Sequence, residues 1–362
     1  MQPKITNLIN EQIKVLNSKQ AINRGTNSIR LDKGEFPYPP SPKVVQAIAT
    51  AASEINRYPD VLGGDLREAL AKYTGKKINQ IIIGNGSDDI IELILKVFVT
   101  IGEEVLLPIP TFFVYDFATQ VVGGNSIAVP RNKDFSLNTD AIFEKLSDKT
   151  KVIFIANPNN PTANLVNRNT ILEILERVEC LVVIDECYYE FCQETVSDLV
   201  EKYPNLIVLR SLSKSFGLAG IRLGYAIANE TIIDYLYRAA QLFPVNKLAI
   251  IAANAALEEQ DYVNSNIQKI CQERNQLTLA MENLGLIVYP SATNFLFVST
   301  KNLGITSQNL VQSLKEKNIF VADFGLKQGL DAYHFRTAVG TTRENQILLA
   351  GLNEIFDQKQ NT

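Results

Sequence analysis

From about residue 78 to residue 245, the chain alternates short, continuous apolar runs with stretches of helical period. The runs are Ile81-Ile82-Ile83, Val105-Leu106-Leu107, Val152 to Ala156, Leu181 to Ile184, Leu206 to Leu209 and Tyr225 to Ala228. Strands that are apolar at every position are covered on both faces. The pattern therefore predicts an α/β fold, with a mostly parallel mixed sheet as the middle of a three-layer sandwich. Ligands of such sheets bind beyond the carboxyl ends of the strands. Residues 247 to 285 read as one long helix, Phe295 to Val298 and Ile319 to Val321 as strands, and a last helix starts near Glu344. This second pattern predicts a smaller α+β lobe, with the N-terminal segment packed on it. The expected division is 41–247 for the large domain, and 1–40 with 248–362 for a discontinuous small one.

Composition narrows the chemistry. The chain has 362 residues, 46% of them hydrophobic and 20% charged. Single cores stop growing at roughly 250–300 residues, so more than one lobe is expected. A formal net charge of -4 with no basic cluster argues against a nucleic-acid partner. No apolar run approaches the ~20 residues that span a bilayer, and the N-terminus lacks the apolar core of a signal peptide. No membrane partner is therefore expected. Cys180, Cys187, Cys192 and Cys271 form no CxxC pair, which fits reduced thiols in a cytoplasmic protein. The single histidine, His334, excludes a multi-histidine metal site and leaves proton transfer mainly to Lys, Tyr, Asp or Glu.

Three segments after predicted strands carry candidate chemistry. Gly84-Asn85-Gly86-Ser87-Asp88 joins a strand to an apolar-periodic helix, and free backbone N–H groups at such a start suit a phosphate. A plain strand-to-helix turn capped by Ser87 or Asp88 would read the same way. Asp185 ends the run Leu181 to Ile184; a carboxylate there needs a cationic partner to stay ionised. By itself it could equally cap a helix or ligate a metal. The stretch SLSKSFGLAGIRLGY, Ser211 to Tyr225, places Ser211, Ser213, Lys214 and Arg222 in one loop. A lysine among cationic and apolar neighbours has a lowered pKa, which suits Schiff-base formation, and Arg222 with the serines can donate to a phosphate.

The Ser211–Tyr225 block resembles the cofactor-lysine motif of class I/II aminotransferases of fold type I, closest to the histidinol-phosphate aminotransferase subgroup. YPDVLGGDLREALA from Tyr58, NPNNPT from Asn157, VVIDECYYEF from Val182 and FRTAVGT from Phe335 resemble further motifs of that family, in its order. The resemblance implies pyridoxal 5'-phosphate (PLP), held in the large domain as a Schiff base on Lys214, which also shuttles the substrate proton. It implies that Asp185 pairs with the pyridine nitrogen, that Asn157 and Tyr188 bond the ring oxygen, and that Phe112 stacks on the ring. Gly86, Ser87, Asp88, Ser211, Ser213 and Arg222 fall to the phosphate end, joined by Tyr58 of a neighbouring copy. A homodimer with shared active sites follows. Arg336 would hold the substrate's anionic group, with Asn157 and the Gly34-Glu35 gate beside it.

Departures from the subgroup concern the substrate. Lys33-Gly34-Glu35-Phe36-Pro37 stands where the subgroup reads NENP, Ala322 stands where it commonly carries an arginine, and Asn17 to Arg24 lacks its tyrosine contact. Losing one arginine from a phosphate site removes roughly 1.5–3 kcal/mol. The expected function is thus amino-group transfer from a free amino acid to a keto acid. Glu11, Asp32 and Glu35 raise a second expectation, a cationic side chain on the substrate, which a PLP lyase or cyclase for an arginine-like amino acid would share. The same motifs would also serve histidinol-phosphate transamination or a non-catalytic PLP sensor. The sensor would call for a DNA-binding module that this chain has no room for.

Overall fold

The computed structural model describes residues 5–17 and 28–360. The N-terminal residues 1–4 and most of Asn17 to Arg24 lie outside the described residues. A first short strand, β1 (Ile29–Arg30), precedes the large sheet. That sheet comprises β2 (Ile81–Gly84), β3 (Glu104–Ile109), β4 (Asn125–Pro130), β5 (Thr150–Ala156), β6 (Leu181–Asp185), β7 (Leu206–Ser211) and β8 (Gly224–Ala228). Its order is β2-β8-β7-β6-β5-β3-β4. Only β8 runs antiparallel to its neighbours. The mostly parallel mixed sheet is the one the apolar runs predict.

Those runs feed two cores. Ile153, Ile155, Val182, Ile184, Leu206 and Val208 point to one face of the sheet. Val152, Phe154, Leu181, Val183, Ile207 and Leu209 point to the other. Period-two alternation between two buried faces is why no polar residue interrupts the strands. The helix Ser87–Phe98 covers the second face with Ile90, Ile91, Ile94 and Leu95, all fully buried. Truncating one of them, for example Ile94→Ala, costs about 2–5 kcal/mol.

The remaining strands are β9 (Ile287–Val288), β10 (Phe295–Ser299), β11 (Ile319–Phe320), β12 (Ala322–Asp323) and β13 (His334–Ala338). Four of them form the sheet β12-β13-β10-β9, and β11 pairs in parallel with β1. The N-terminal segment thus joins the C-terminal part by backbone hydrogen bonds. The expected helix over 247–285 is two helices, Lys247–Glu258 and Gln260–Asn283. They are separated at Glu259, whose φ of -102° and ψ of 43° leave the helical region. Helix Lys247–Glu258 packs on helices Pro42–Ala51 and Gly64–Thr74. We propose 41–247 as the large lobe, and 1–40 with 248–362 as the small one, with that helix bridging the two.

Candidate active site

A cleft of about 1050 Å³ lies where the carboxyl ends of the central strands face β12 and β13. Asp185 closes β6, Ser211 closes β7, Ala156 closes β5 and Thr111 follows β3, and all four line the cleft. Ser87, Asp88, Phe112, Tyr188, Ser213, Lys214, Arg222 and Arg336 line it as well. The structure therefore brings the two sequence-predicted reactive groups, Lys214 and Asp185, into a single cavity.

Asp185 is 6% exposed. Its Oδ1 accepts the Cys187 N–H at 3.0 Å and its Oδ2 accepts the Tyr115 hydroxyl at 2.6 Å. Burial raises its carboxyl above the ordinary range, and the hydrogen bonds from Cys187 and Tyr115 only partly offset this. Among the described residues no cation pairs with it. A buried carboxyl with two donors and no cation among the described residues suits a cationic ligand group.

Arg336 shows the reverse. It is 7% exposed, donates from Nη1 to Asn160 Oδ1 at 2.6 Å and from Nη2 to the Asp32 carbonyl at 2.8 Å, and among the described residues its Nε–H has no partner. Both acceptors are uncharged, so the guanidinium retains the capacity to hold an anion. Burial lowers its pKa, with Tyr188 and Asp32 opposing that shift.

Lys214 lines the same cleft as Asp185 and Arg336. Burial lowers its amine pKa first and the Arg336 charge lowers it further. Its Nζ reaches the Lys33 carbonyl at a long 3.5 Å and lies 5.7 Å from the Tyr188 ring centroid. An amine with a depressed pKa and one weak contact is available as a nucleophile.

At the other end of the cleft, helix Ser87–Phe98 begins without a side-chain cap, its preceding Gly86 at φ 86°. A Cβ at Gly86 would lie 2.6 Å from Arg222 Nη2, and one at Gly224 would lie 2.3 Å from the Ser87 nitrogen. The absence of both side chains lets β8 and Arg222 approach the helix start, concentrating N–H donors and a guanidinium there. Arg222 is held by Asp88 at 3.1 Å. Ser211 Oγ accepts the Ser213 N–H at 3.1 Å.

Other expected residues lie less directly. Asn157 stands behind the wall formed by Ala156 and Pro158, its Oδ1 accepting the Val166 N–H at 2.9 Å. Gly34 lies beside the Tyr188 hydroxyl, and its carbonyl accepts the Asn294 amide at 3.0 Å. Glu35 faces a separate 340 Å³ pocket. Asp32 is paired with Arg30 and Glu11 with Lys14, so two of the three acids expected to attract a cationic substrate already have cations. Tyr58 is 80% exposed outside the cleft, stacked on Phe243 at 4.4 Å. Tyr115, Asn160 and the loop residues Lys327 and Gln328 were not singled out by sequence; Gln328 Oε1 accepts the Thr111 N–H at 2.7 Å, and both residues line the cleft.

A lysine with a lowered amine pKa, a buried carboxyl without a cation among the described residues and an uncapped helix start lie along one cleft of a mostly parallel sheet, an arrangement that suits a cofactor-dependent enzyme. The chain matches the family described as aminotransferase class I and II over residues 26–352, and belongs to it. It is 36% identical to a histidinol-phosphate aminotransferase of Thermoanaerobacter sp. (strain X514) over 97% of this chain and 99% of that one. It is 38% identical to one from Methanosarcina mazei, covering 88% of this chain and 85% of that one. Among solved structures it resembles the Sinorhizobium meliloti histidinol-phosphate aminotransferase in complex with pyridoxal-5'-phosphate. The TM-score is 0.90 and the identity 25%, covering 97% of this chain and 98% of that chain. The family and its cofactor fit the residues: the unpaired Asp185 suits the ring nitrogen, and Arg222 with the uncapped helix suits the phosphate.

Proposed function

We propose that this chain transfers an amino group between an amine donor and a keto acid, with the anionic group of each substrate seated in turn on Arg336. The observation that carries this reading is the coexistence in one cleft of a buried carboxyl and a buried arginine, neither of them ion-paired among the described residues. When bound, pyridoxal phosphate supplies an electron-withdrawing ring that accommodates negative charge developing at the substrate α-carbon.

The chain's own residues do the rest. Asp185 Oδ2, steadied by Tyr115, keeps the ring nitrogen cationic by remaining ionised beside it. Lys214 Nζ would hold the cofactor through its aldehyde, and the same amine would carry the substrate's α-proton. Phe112, edge-on to Tyr115 at 5.6 Å, covers a ring face and excludes water. Tyr188 and Asn157 Nδ2 orient the ring oxygen. Gly86, Ser87, Ser211, Ser213 and Arg222 bind the phosphate, with Asp88 fixing Arg222. Arg336 orients the substrate so that its α-C–H faces Lys214.

A free amino acid offers Arg336 a carboxylate. A second reading, in which one amino donor is histidinol phosphate, is favoured by the near full-length relatives of that name. A homodimer, in which exposed Tyr58 meets a neighbouring copy's phosphate site, belongs to the same proposal, as does a cytoplasmic location. Among the described residues, no helix is long and apolar enough to cross a membrane. The test incubates cofactor-loaded protein with 2-oxoglutarate and single amine donors, free amino acids and histidinol phosphate, and quantifies glutamate. Glutamate formed with at least one donor supports transfer. Carbon dioxide or a cyclised product without glutamate would replace it with a lyase or cyclase.

A further inference from the structure

Ala322 of β12 is the direct cross-strand partner of Arg336 on β13. Cross-strand partners of an antiparallel pair carry their side chains to the same face, so the small methyl of Ala322 leaves room beside the guanidinium. A second cation stands on the loop that follows β12. Lys327 lines the same cleft as Ala322 and Arg336. Its Nζ donates to the Asp323 carbonyl at 2.6 Å. The ammonium of Lys327 and the guanidinium of Arg336 each lie 5.6 Å from the centroid of one ring, Phe324.

The carboxylate nearest in sequence does not neutralise this lysine. Asp323 Oδ1 is occupied by the Ser307 hydroxyl at 2.6 Å and the Gly325 N–H at 2.9 Å. Among the described residues Lys327 forms no ion pair. An ammonium has three donors, and the Asp323 carbonyl uses one. Its flexible stem lets it swing from that resting contact toward a ligand on Arg336.

We propose that Lys327 is a specificity-determining residue, the second cation that grips the terminal phosphate of a phosphate-monoester substrate seated on Arg336. A carboxylate carries one charge and is served by Arg336 alone. A phosphate monoester carries close to two above its second pKa of about 6, and three acceptor oxygens, and so engages both cations. Lys327 thereby supplies from a loop the charge that Ala322 does not supply from the strand. This rests on the reading that Arg336 seats the substrate's anion.

The test titrates cofactor-loaded protein with inorganic phosphate and, separately, acetate, by calorimetry at mildly alkaline pH. It compares wild type, Lys327→Met and Lys327→Arg. An unchanged visible spectrum of the bound cofactor confirms that each variant is folded and loaded. Lys327→Met is expected to weaken phosphate about tenfold and acetate by less than about twofold, with Lys327→Arg restoring most of the loss. With histidinol phosphate as donor, the same variant raises KM about tenfold at unchanged kcat. The proposal is overturned if Lys327→Met binds phosphate as wild type does, if it loses acetate equally, or if wild type binds no phosphate. Failure of wild type to use histidinol phosphate would sink only the donor reading, because the phosphate titrations still decide the role of Lys327. Failure of Arg336→Met to weaken either anion would sink the seat on Arg336.

Discussion

The hydroxyl of Tyr115 donates a 2.6 Å hydrogen bond to Oδ2 of Asp185, linking a helix that follows β3 to the end of β6. The Tyr115 ring is fully buried and stacked on Phe154 at 4.7 Å, so the bond is held rigidly. A donor to the charged form favours ionisation. Tyr115→Phe keeps the packing and removes the donor. Stability should fall by roughly 1.5–3 kcal/mol and cofactor affinity about tenfold, measured by denaturant titration and by fluorescence reconstitution. Wild-type affinity in this variant would remove Tyr115 from cofactor binding.

Burial raises the Asp185 carboxyl pKa. The folded state then binds that proton more readily than the unfolded chain. Native stability is therefore lost as pH rises from the ordinary carboxylate range through the folded pKa, and stays reduced above it. In the cofactor-free protein, Asp185→Asn removes this cost. Thermal unfolding near neutral pH should shift upward by about 1–3 kcal/mol, and the gain should shrink toward acid. With saturating cofactor the order reverses, because the amide cannot hold a cationic ring nitrogen.

Lys214 has its amine pKa lowered by burial and by Arg336. Arg336→Met removes the second cause, so the Lys214 pKa rises. In the cofactor-free variant, the pH at which a lysine-directed reagent half-modifies Lys214 should move upward, read by peptide mass spectrometry. A downward or null shift would show that the guanidinium does not act on this amine.

Lys214→Ala removes the only amine proposed to move the α-proton. Turnover should drop by roughly 10⁴-fold or more, while cofactor remains bound noncovalently through the phosphate contacts. Near-normal turnover would refute the assignment.

Beneath the site, Arg210 donates to Glu186 Oε2 at 2.9 Å with both side chains almost wholly buried. Glu190, also buried, accepts the Ser215 hydroxyl at 2.9 Å, next to Lys214. Arg210→Ala would leave Glu186 buried without its cation. A loss of about 3–5 kcal/mol is expected by chemical denaturation, and a loss under about 1 kcal/mol would contradict the burial argument.

The sheet was legible where strands are buried on both faces, because a short unbroken apolar run between turn signals fits few environments except the middle of a layered sheet. β4 was not, since Asn125–Pro130 is an edge strand with several exposed positions and pairs only with β3. The break at Glu259 was hidden because apolar periodicity continues on both sides of it. Lys214 and Asp185 were readable as neighbours in one cleft because each lies at or just beyond the end of a buried apolar run. Tyr115 was not, since a tyrosine at helical spacing looks like any core aromatic, and its meaning appears only once β6 lies beside it. Asn160, three residues beyond Asn157, was overlooked in a motif where spacing does not tell which amide meets Arg336. Lys327 was invisible for a simpler reason: where a loop side chain ends up depends on tertiary placement.

The bond from Thr111 to Gln328 ties the segment after β3 to the loop between β12 and β13, two walls of one chamber. Parting these two walls would break one hydrogen bond between an amide N–H and a carboxamide, neither of which changes charge at any pH an enzyme works in. Acidity can therefore tune what happens inside the chamber while leaving this part of the threshold the same height.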